Sequence, residues 1–389
     1  MKNGPPLKNI HGQPSWCLRS SRVETYVTQL GGHLGPATFR LGQRSIRPFS
    51  VAPWAKEPLP PRTPAILKVL RGDFFCMPFG NNTTPFQGEH HPPHGETANA
   101  RWKFESLVHQ KEGVSLLHLS LRTKIRMGRV EKRIFLYRNH TAIYSEHILS
   151  GISGPISFGH HAMLRFPDKL ECGVLSTAPF VFGQVLPEVF EFPKKRGYSM
   201  LKPGSMFESL QAVETIYDTQ TDLSRYPQRR GFEDLVMLCS NPEIEFAWTA
   251  VTFHQKGYVW LALKNPKVLP STLLWISNGG RHYPPWNGRH IHVMGLEEVA
   301  SYFHFGLAES VAPNPIQNRG IPTYRLLKNP SPFTIRYIMA VGKIPKDFDR
   351  VVSVQKTRNG VTLTALSGAE ATIDLNLEFL NEISPPFSK

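Results

Sequence analysis

The chain has 389 residues, of which 40% are hydrophobic and 19% charged, a composition that excludes intrinsic disorder and leaves enough apolar surface for an extended core. Lys and Arg outnumber Asp and Glu by 45 to 30, a formal charge of +15, so the summed potential favours anionic partners without choosing among phosphates, uronates, nucleic acid or membrane surfaces. Basic runs no longer than Lys194-Lys195-Arg196 and Arg229-Arg230 argue against nucleic acid, and no apolar run suits a signal peptide or a membrane span, so neither nucleic acid nor membrane is expected as a partner.

Residues 1–19 are polar and proline-containing and read as an N-terminal extension, with one domain expected over 20–385. Ser20 to Leu30 reads as a strand ending at Gly31-Gly32, with Phe39 to Leu41 as a hairpin partner. Pro48 to Pro64 carries six prolines, each of which removes a ladder donor, so this stretch is expected as an extended surface connection. Leu117, Leu119 and Leu121 alternate with His118, Ser120 and Arg122, the period of a half-buried strand. Ile125 and Met127, Ile134 to Tyr137 and Ala142 to Ile148 extend this into a meander. Ser205 to Tyr217 hints at helix, whereas Leu296 to Phe303 suits helix or strand. Phe246 to Phe253 and Tyr258 to Leu263 flank the short connection Gln255-Lys256-Gly257. Arg358-Asn359-Gly360 carries the signal of a type I′ turn, and Ile373, Leu375, Leu377 and Phe379 alternate with polar residues. Glycines, prolines and short β-branched or aromatic segments together predict an all-β chain with few helices.

Cys17, Cys76, Cys172 and Cys239 are widely spaced and form no CxxC, so no disulfide framework or zinc knuckle is suggested and a reducing cytoplasm is the expected location. Histidines cluster as His90-His91-Pro92-Pro93-His94-Gly95 and as His160-His161. His90 and His94 have the spacing of two ligands on one helical face, but Pro92-Pro93 excludes a regular helix there, and no metal is expected. Trp275 to Trp286 carries three aromatic rings and Arg281, then come Glu297-Glu298. Aromatic faces beside polar groups suit a sugar, whose C–H faces are apolar and whose hydroxyls need directed partners. Trp275 lies in an apolar strand and reads as core; Trp286 reads as exposed.

Four ordered landmarks carry a resemblance: Arg71-Gly72-Asp73-Phe74-Phe75-Cys76-Met77-Pro78-Phe79-Gly80, His94-Gly95 followed by Trp102, Gly159-His160-His161-Ala162-Met163-Leu164, and Gly295-Leu296-Glu297-Glu298. In this order they resemble the aldose 1-epimerase and hexose-6-phosphate mutarotase superfamily. The resemblance implies a large antiparallel β-sandwich of the galactose-mutarotase type, with a sugar site on its concave face. It implies His94, His161 and Glu297 as catalytic residues, with His160 and Glu298 as the register alternatives, and Arg71 as a substrate-binding arginine. Asn81, His160, Arg281, Trp286 and Glu298 complete the candidate substrate-binding set. Anomer interconversion takes a proton from the C1 hydroxyl and gives one to the ring oxygen, so Glu297 is expected as base and His161, as imidazolium, as acid, with His94 assisting. No cofactor is needed, and the expected partner is a free or phosphorylated sugar. Two alternatives stand beside this: a carbohydrate-binding or sensing module without turnover, and an epimerase or lyase on acidic sugars with Arg71, Arg281 and Arg289 as clamps.

Overall fold

In the strand Phe232–Ser240, Val236 and Leu238 fall on one face and Leu235 and Met237 on the other, and all four are buried. A strand buried on both sides needs a packed layer on each, and the computed structural model, which describes residues 5–381, supplies them. A seven-stranded antiparallel sheet runs, in spatial order, Met206–Phe207, Phe180–Val185, Phe232–Ser240, Ser271–Asn278, Val293–Ala300, Phe158–Arg165 and Phe75–Cys76. A nine-stranded sheet includes Ala247–Phe253, Tyr258–Lys264, Phe333–Lys343, Ala142–Ser150, Gly128–Tyr137 and Val114–Thr123. Their facing sides form the main core, where Val236, Leu274 and Leu296 of the first sheet meet Leu117, Ile134, Trp260 and Ile335 of the second.

The outer face of the nine-stranded sheet is covered by a three-stranded sheet, Val351–Thr357, Gly360–Ala365 and Glu370–Asp374, through Leu363 and Ile373, and by Phe379 from the turn Leu377–Leu380 that follows it. The outer face of the seven-stranded sheet is covered by loops, with Met163, Leu235, Leu273 and Trp275 packed against Trp54, Phe79 and Phe303. Loops leave room for a cavity where a third sheet would not. Among the described residues, no helix is long and apolar enough to cross a membrane, and the four cysteines are free.

Several expectations are met. Val23–Thr28 pairs with Leu34–Leu41, opposing Val23 to Phe39, the meander of Val114–Thr123, Gly128–Tyr137 and Ala142–Ser150 is continuous, and Ala247–Phe253 pairs with Tyr258–Lys264. The stretch 48–64 contains no strand.

Others are not. Lys8–Ile10 and Gln13–Arg19, within the expected extension, are strands of a five-stranded N-terminal sheet, and Trp16 and Leu18 enter the main core. The expected boundary at 385 lies outside the described residues. Ser205 to Tyr217 is not helical: Phe207, Leu210 and Val213 are three residues apart and all point into the core, but the chain reaches them by wrapping the sheet edge through the two-residue strands Met206–Phe207 and Val213–Glu214. Leu296 to Phe303 resolves as the end of the strand Val293–Ala300. The C-terminal hairpin turns at Arg358-Asn359, but neither residue has a positive φ, so the turn is not type I′.

Candidate active site

Parity decides which side chains reach the cavity. In Val293–Ala300, Met294, Leu296 and Ala300 belong to the main core, so the odd-numbered residues face the loops. Phe158–Arg165 pairs antiparallel with it, placing His161 opposite Glu297 and His160 opposite Glu298. One rung therefore presents an imidazole and a carboxyl to the loop side, and the next presents the same pair of groups to the interior. On the loop side, Nε2 of His161 lies 3.1 Å from Oε1 of Glu297.

These two groups floor a cavity of about 220 Å³, walled by Phe74, Phe190, Trp275 and Trp286 and reached by His94, Arg281, His304 and Asn81. A backbone N–H from His161 to the carbonyl of Phe74 (2.9 Å) fixes the strand beside the floor, and the Phe74 ring stacks on the His161 ring at 4.4 Å. His94 comes from the loop after Pro93. Its own φ is 58° and that of Gly95 is 73°, and a Cβ on Gly95 would stand 1.9 Å from the carbonyl oxygen of Met77, so glycine is required for the loop to close against that segment. The side chain of Asn82 donates to the carbonyls of Gly80 (3.0 Å) and Pro92 (3.2 Å), tying the two segments together. The His94 ring thus stands edge-on to His161, 5.2 Å between centroids.

The electrostatics follow from burial. Glu297 is 2% exposed, and loss of water pushes its carboxyl well above the usual range, with Arg281 opposing. Burial, and then proximity to His94, holds His161 well below the ordinary imidazole value. His94 is lowered to about 4 and His304 to about 3, in both cases chiefly by burial. Nδ1 of His94, of His161 and of His304 is shielded from solvent and has no hydrogen-bond partner among the described residues. His94, His161 and His304 all line the cavity beside Glu297, so it sets one carboxyl among three imidazoles. Among the described residues, no cluster of His, Cys, Asp or Glu is arranged to hold a metal ion.

Arg281 belongs to the cavity wall. Its Nε donates to Oε1 of Glu191 at 2.6 Å and lies 4.0 Å from Oε2 of Glu233, while the guanidinium lies over Trp286 (4.6 Å), Phe190 (5.0 Å) and Trp275 (5.4 Å). Glu233 accepts from Trp275 Nε1 and Ser277 Oγ, each at 2.9 Å, and burial raises its carboxyl to about 7. Trp286, expected in the open, is 6% exposed, boxed edge-on by Trp54 and Trp275. Trp275 is core, as its strand suggested, but also lines the cavity.

Three residues of the expected set stand elsewhere. Arg71 is fully buried and donates to the carbonyls of Val69, Ile10 and His11, so it clamps the N-terminal strand instead of a substrate. His160 faces the interior with Nδ1 2.9 Å from Oδ2 of Asp73. Glu298 faces the interior too, accepting from Thr249 (2.8 Å) and Thr272 (2.7 Å) and pairing with Lys264. Arg289 pairs with Glu57 at 2.6 and 2.8 Å, away from the cavity. His304, Phe74 and Phe190 were not anticipated. His304 sits in the aromatic run Tyr302-Phe303-His304-Phe305 just past a strand end, and that pattern was its only signal in the sequence.

A larger groove, about 750 Å³, lies against the N-terminal sheet and is lined in part by His11, Tyr26, Arg47 and Arg165. It contains neither His161 nor Glu297, and its own acid–imidazole contact, His292 Nε2 to Asp168 Oδ1 at 3.5 Å, uses a carboxylate that is 91% exposed, whereas the pair in the smaller cavity is buried.

No protein-family model and no curated protein matches the chain. Solved structures do. It is similar to a galactose mutarotase related enzyme from Lactobacillus acidophilus, at 11% identity over 84% of this chain and 97% of that one with a TM-score of 0.53. A galactose mutarotase-like protein from Clostridium acetobutylicum aligns at 10% identity over 87% and 99% with a TM-score of 0.53, and an aldose epimerase homologue from C. elegans at 11% over 85% and 100% with a TM-score of 0.50. With its two large antiparallel sheets and its loop-covered outer face, the chain has the galactose-mutarotase-like β-sandwich fold.

Proposed function

We propose that the chain is a carbohydrate isomerase that interconverts the anomers of an aldose in the cavity floored by His161 and Glu297. The observation that carries this is the 3.1 Å approach of His161 Nε2 to Glu297 Oε1 on one rung of the sheet, beneath aromatic walls suited to a sugar face.

Ring opening removes the C1 hydroxyl proton, delivers a proton to the ring oxygen and breaks the bond between C1 and that oxygen. Rotation about C1–C2 presents the other carbonyl face, and closure reverses both transfers. The net proton demand is zero, so a pair holding one proton between them suffices. Burial works against both carboxylate and imidazolium here, which favours the carboxylic acid with neutral imidazole as the resting arrangement. His161 then takes the hydroxyl proton and Glu297 supplies the ring oxygen, with the roles exchanged on closure. This turns around the order of transfer expected from the sequence without changing the residues. His94, edge-on to His161 in the cavity wall, hydrogen-bonds the sugar near C1.

The test is NMR saturation transfer between anomers of a panel of aldoses with and without the protein. Exchange faster than the buffer rate for at least one sugar is expected. Tight binding without faster exchange would instead mark a sugar-binding module.

A further inference from the structure

A guanidinium lies in the wall of the same cavity as His161 and Glu297. Arg281 lies in the cavity wall with its side chain 14% exposed. Among the described residues, the one hydrogen bond of its side chain uses Nε, to Glu191, and neither terminal amino group makes one. Rings of Trp286, Phe190 and Trp275 lie against the guanidinium and fix its plane. An arginine stripped of water, held flat and left with parallel N–H donors is built to grip two coplanar acceptors. Surplus donors here would otherwise stay unsatisfied once a sugar expels water from the cavity.

Trp275 gives the distance scale. Its ring centroid is 5.4 Å from the Arg281 guanidinium carbon and 5.7 Å from the His161 ring centroid, so arginine and imidazole are separated by no more than these two spans together. Within that bound, a pyranose with its anomeric carbon over His161 and Glu297 can turn the substituent on C5 toward Arg281. Elsewhere the walls are mostly apolar: Ile66, Leu67, Leu70, Phe74 and Leu235 offer no partner for further charge.

We infer that the preferred substrate is an aldose whose C5 substituent is a carboxylate, a hexuronate, bound by a bidentate contact to the terminal amino groups of Arg281. This rests on the proposed mutarotase reading of the cavity and specifies its substrate class. A planar carboxylate matches the fork, whereas a phosphate, larger and tetrahedral, must fit into a cavity of about 220 Å³ together with the sugar. The +15 formal charge of the chain draws such anions toward the protein.

The experiment is calorimetric or NMR titration with glucuronate and galacturonate, their parent neutral hexoses and the corresponding 6-phosphates, on wild-type protein and on Arg281→Gln. In the wild type, a hexuronate should bind about ten- to a hundredfold more tightly than its parent hexose, the range of hydrogen bonds to a charged partner, and more tightly than the 6-phosphate. In Arg281→Gln the ratio of hexuronate to hexose should collapse to near one. Equal or weaker binding of the hexuronate in the wild type overturns the inference whether or not the variant folds, as do tighter binding of the 6-phosphate and a preference that survives in the variant. Faster anomer exchange of a neutral hexose together with no hexuronate preference would leave the mutarotase reading standing and remove this inference alone.

Discussion

Replacing Glu297 by Gln alters one oxygen and removes the ability to pass a proton, while keeping the shape of a side chain that is 2% exposed and 3.1 Å from its imidazole partner. General acid–base groups contribute about 10²–10⁴ in rate, or about 3–5 kcal/mol at roughly 1.4 kcal/mol per tenfold. Saturation transfer between anomers of the substrate should register a loss in that range. The same substitution gives a signature in stability. A carboxyl whose pKa is raised by folding holds its proton more tightly in the folded chain, so its contribution is complete below about 4.5 and is lost as pH climbs through the folded value. Urea midpoints of the wild type should therefore decline, relative to Glu297→Gln, as pH rises above 5. An exchange rate equal to wild type in Glu297→Gln would refute the proposed proton transfer, and parallel pH profiles of the two proteins would refute the burial argument behind it.

Glu298→Ala should act on stability instead. It strips the buried Lys264 of its carboxylate and Thr249 and Thr272 of their acceptor, a loss of about 3–5 kcal/mol by chemical denaturation, while in whatever fraction remains folded the catalytic pair on the other face is untouched. His94 is held neutral by burial with a folded value of about 4 against 6.5 unfolded, so its contribution is present above 6.5 and lost as pH falls toward 4. At about 1.4 kcal/mol for each tenfold in proton concentration, that is on the order of 3 kcal/mol, and His94→Gln should show a correspondingly shallower loss of stability between pH 7 and pH 4. Arg71→Met should release Ile10 and His11, which hydrogen exchange would show as faster turnover of amides in Lys8–Arg19 than in the central strands.

The sequence disclosed strands best where one face is wet. Val114–Thr123 alternates because His118 and Arg122 reach outward, whereas Val293–Ala300 is buried on both faces, and without a polar side its period is hidden. The choice between His160 and His161 was open for the same reason. Period-two alternation separates the two residues but does not say which half faces the cavity, and only the pairing of Phe158–Arg165 with Val293–Ala300 decides it. Arg71 sat within a site-like landmark, yet its acceptors are the carbonyls of Ile10 and His11, about sixty positions away, a separation no local pattern reports. Trp286 lies among prolines and glycines and so read as surface, but Trp54, from the proline-rich connection, closes over it. All four landmarks delivered residues to the cavity: Phe74 from the first, His94 from the second and His161 with Glu297 from the last two.

Because His161 and Glu297 hang from one rung of paired backbone, nothing short of melting the sheet can separate their backbones. Whatever motion opens the cavity falls to the cover, where Leu67, Pro93, Phe190 and Trp286 are all borne on loops or a single short helix. Evolution could retune the gate by editing those segments while the reactive pair stays at one fixed spacing, a division of labour between a rigid anvil and a replaceable lid.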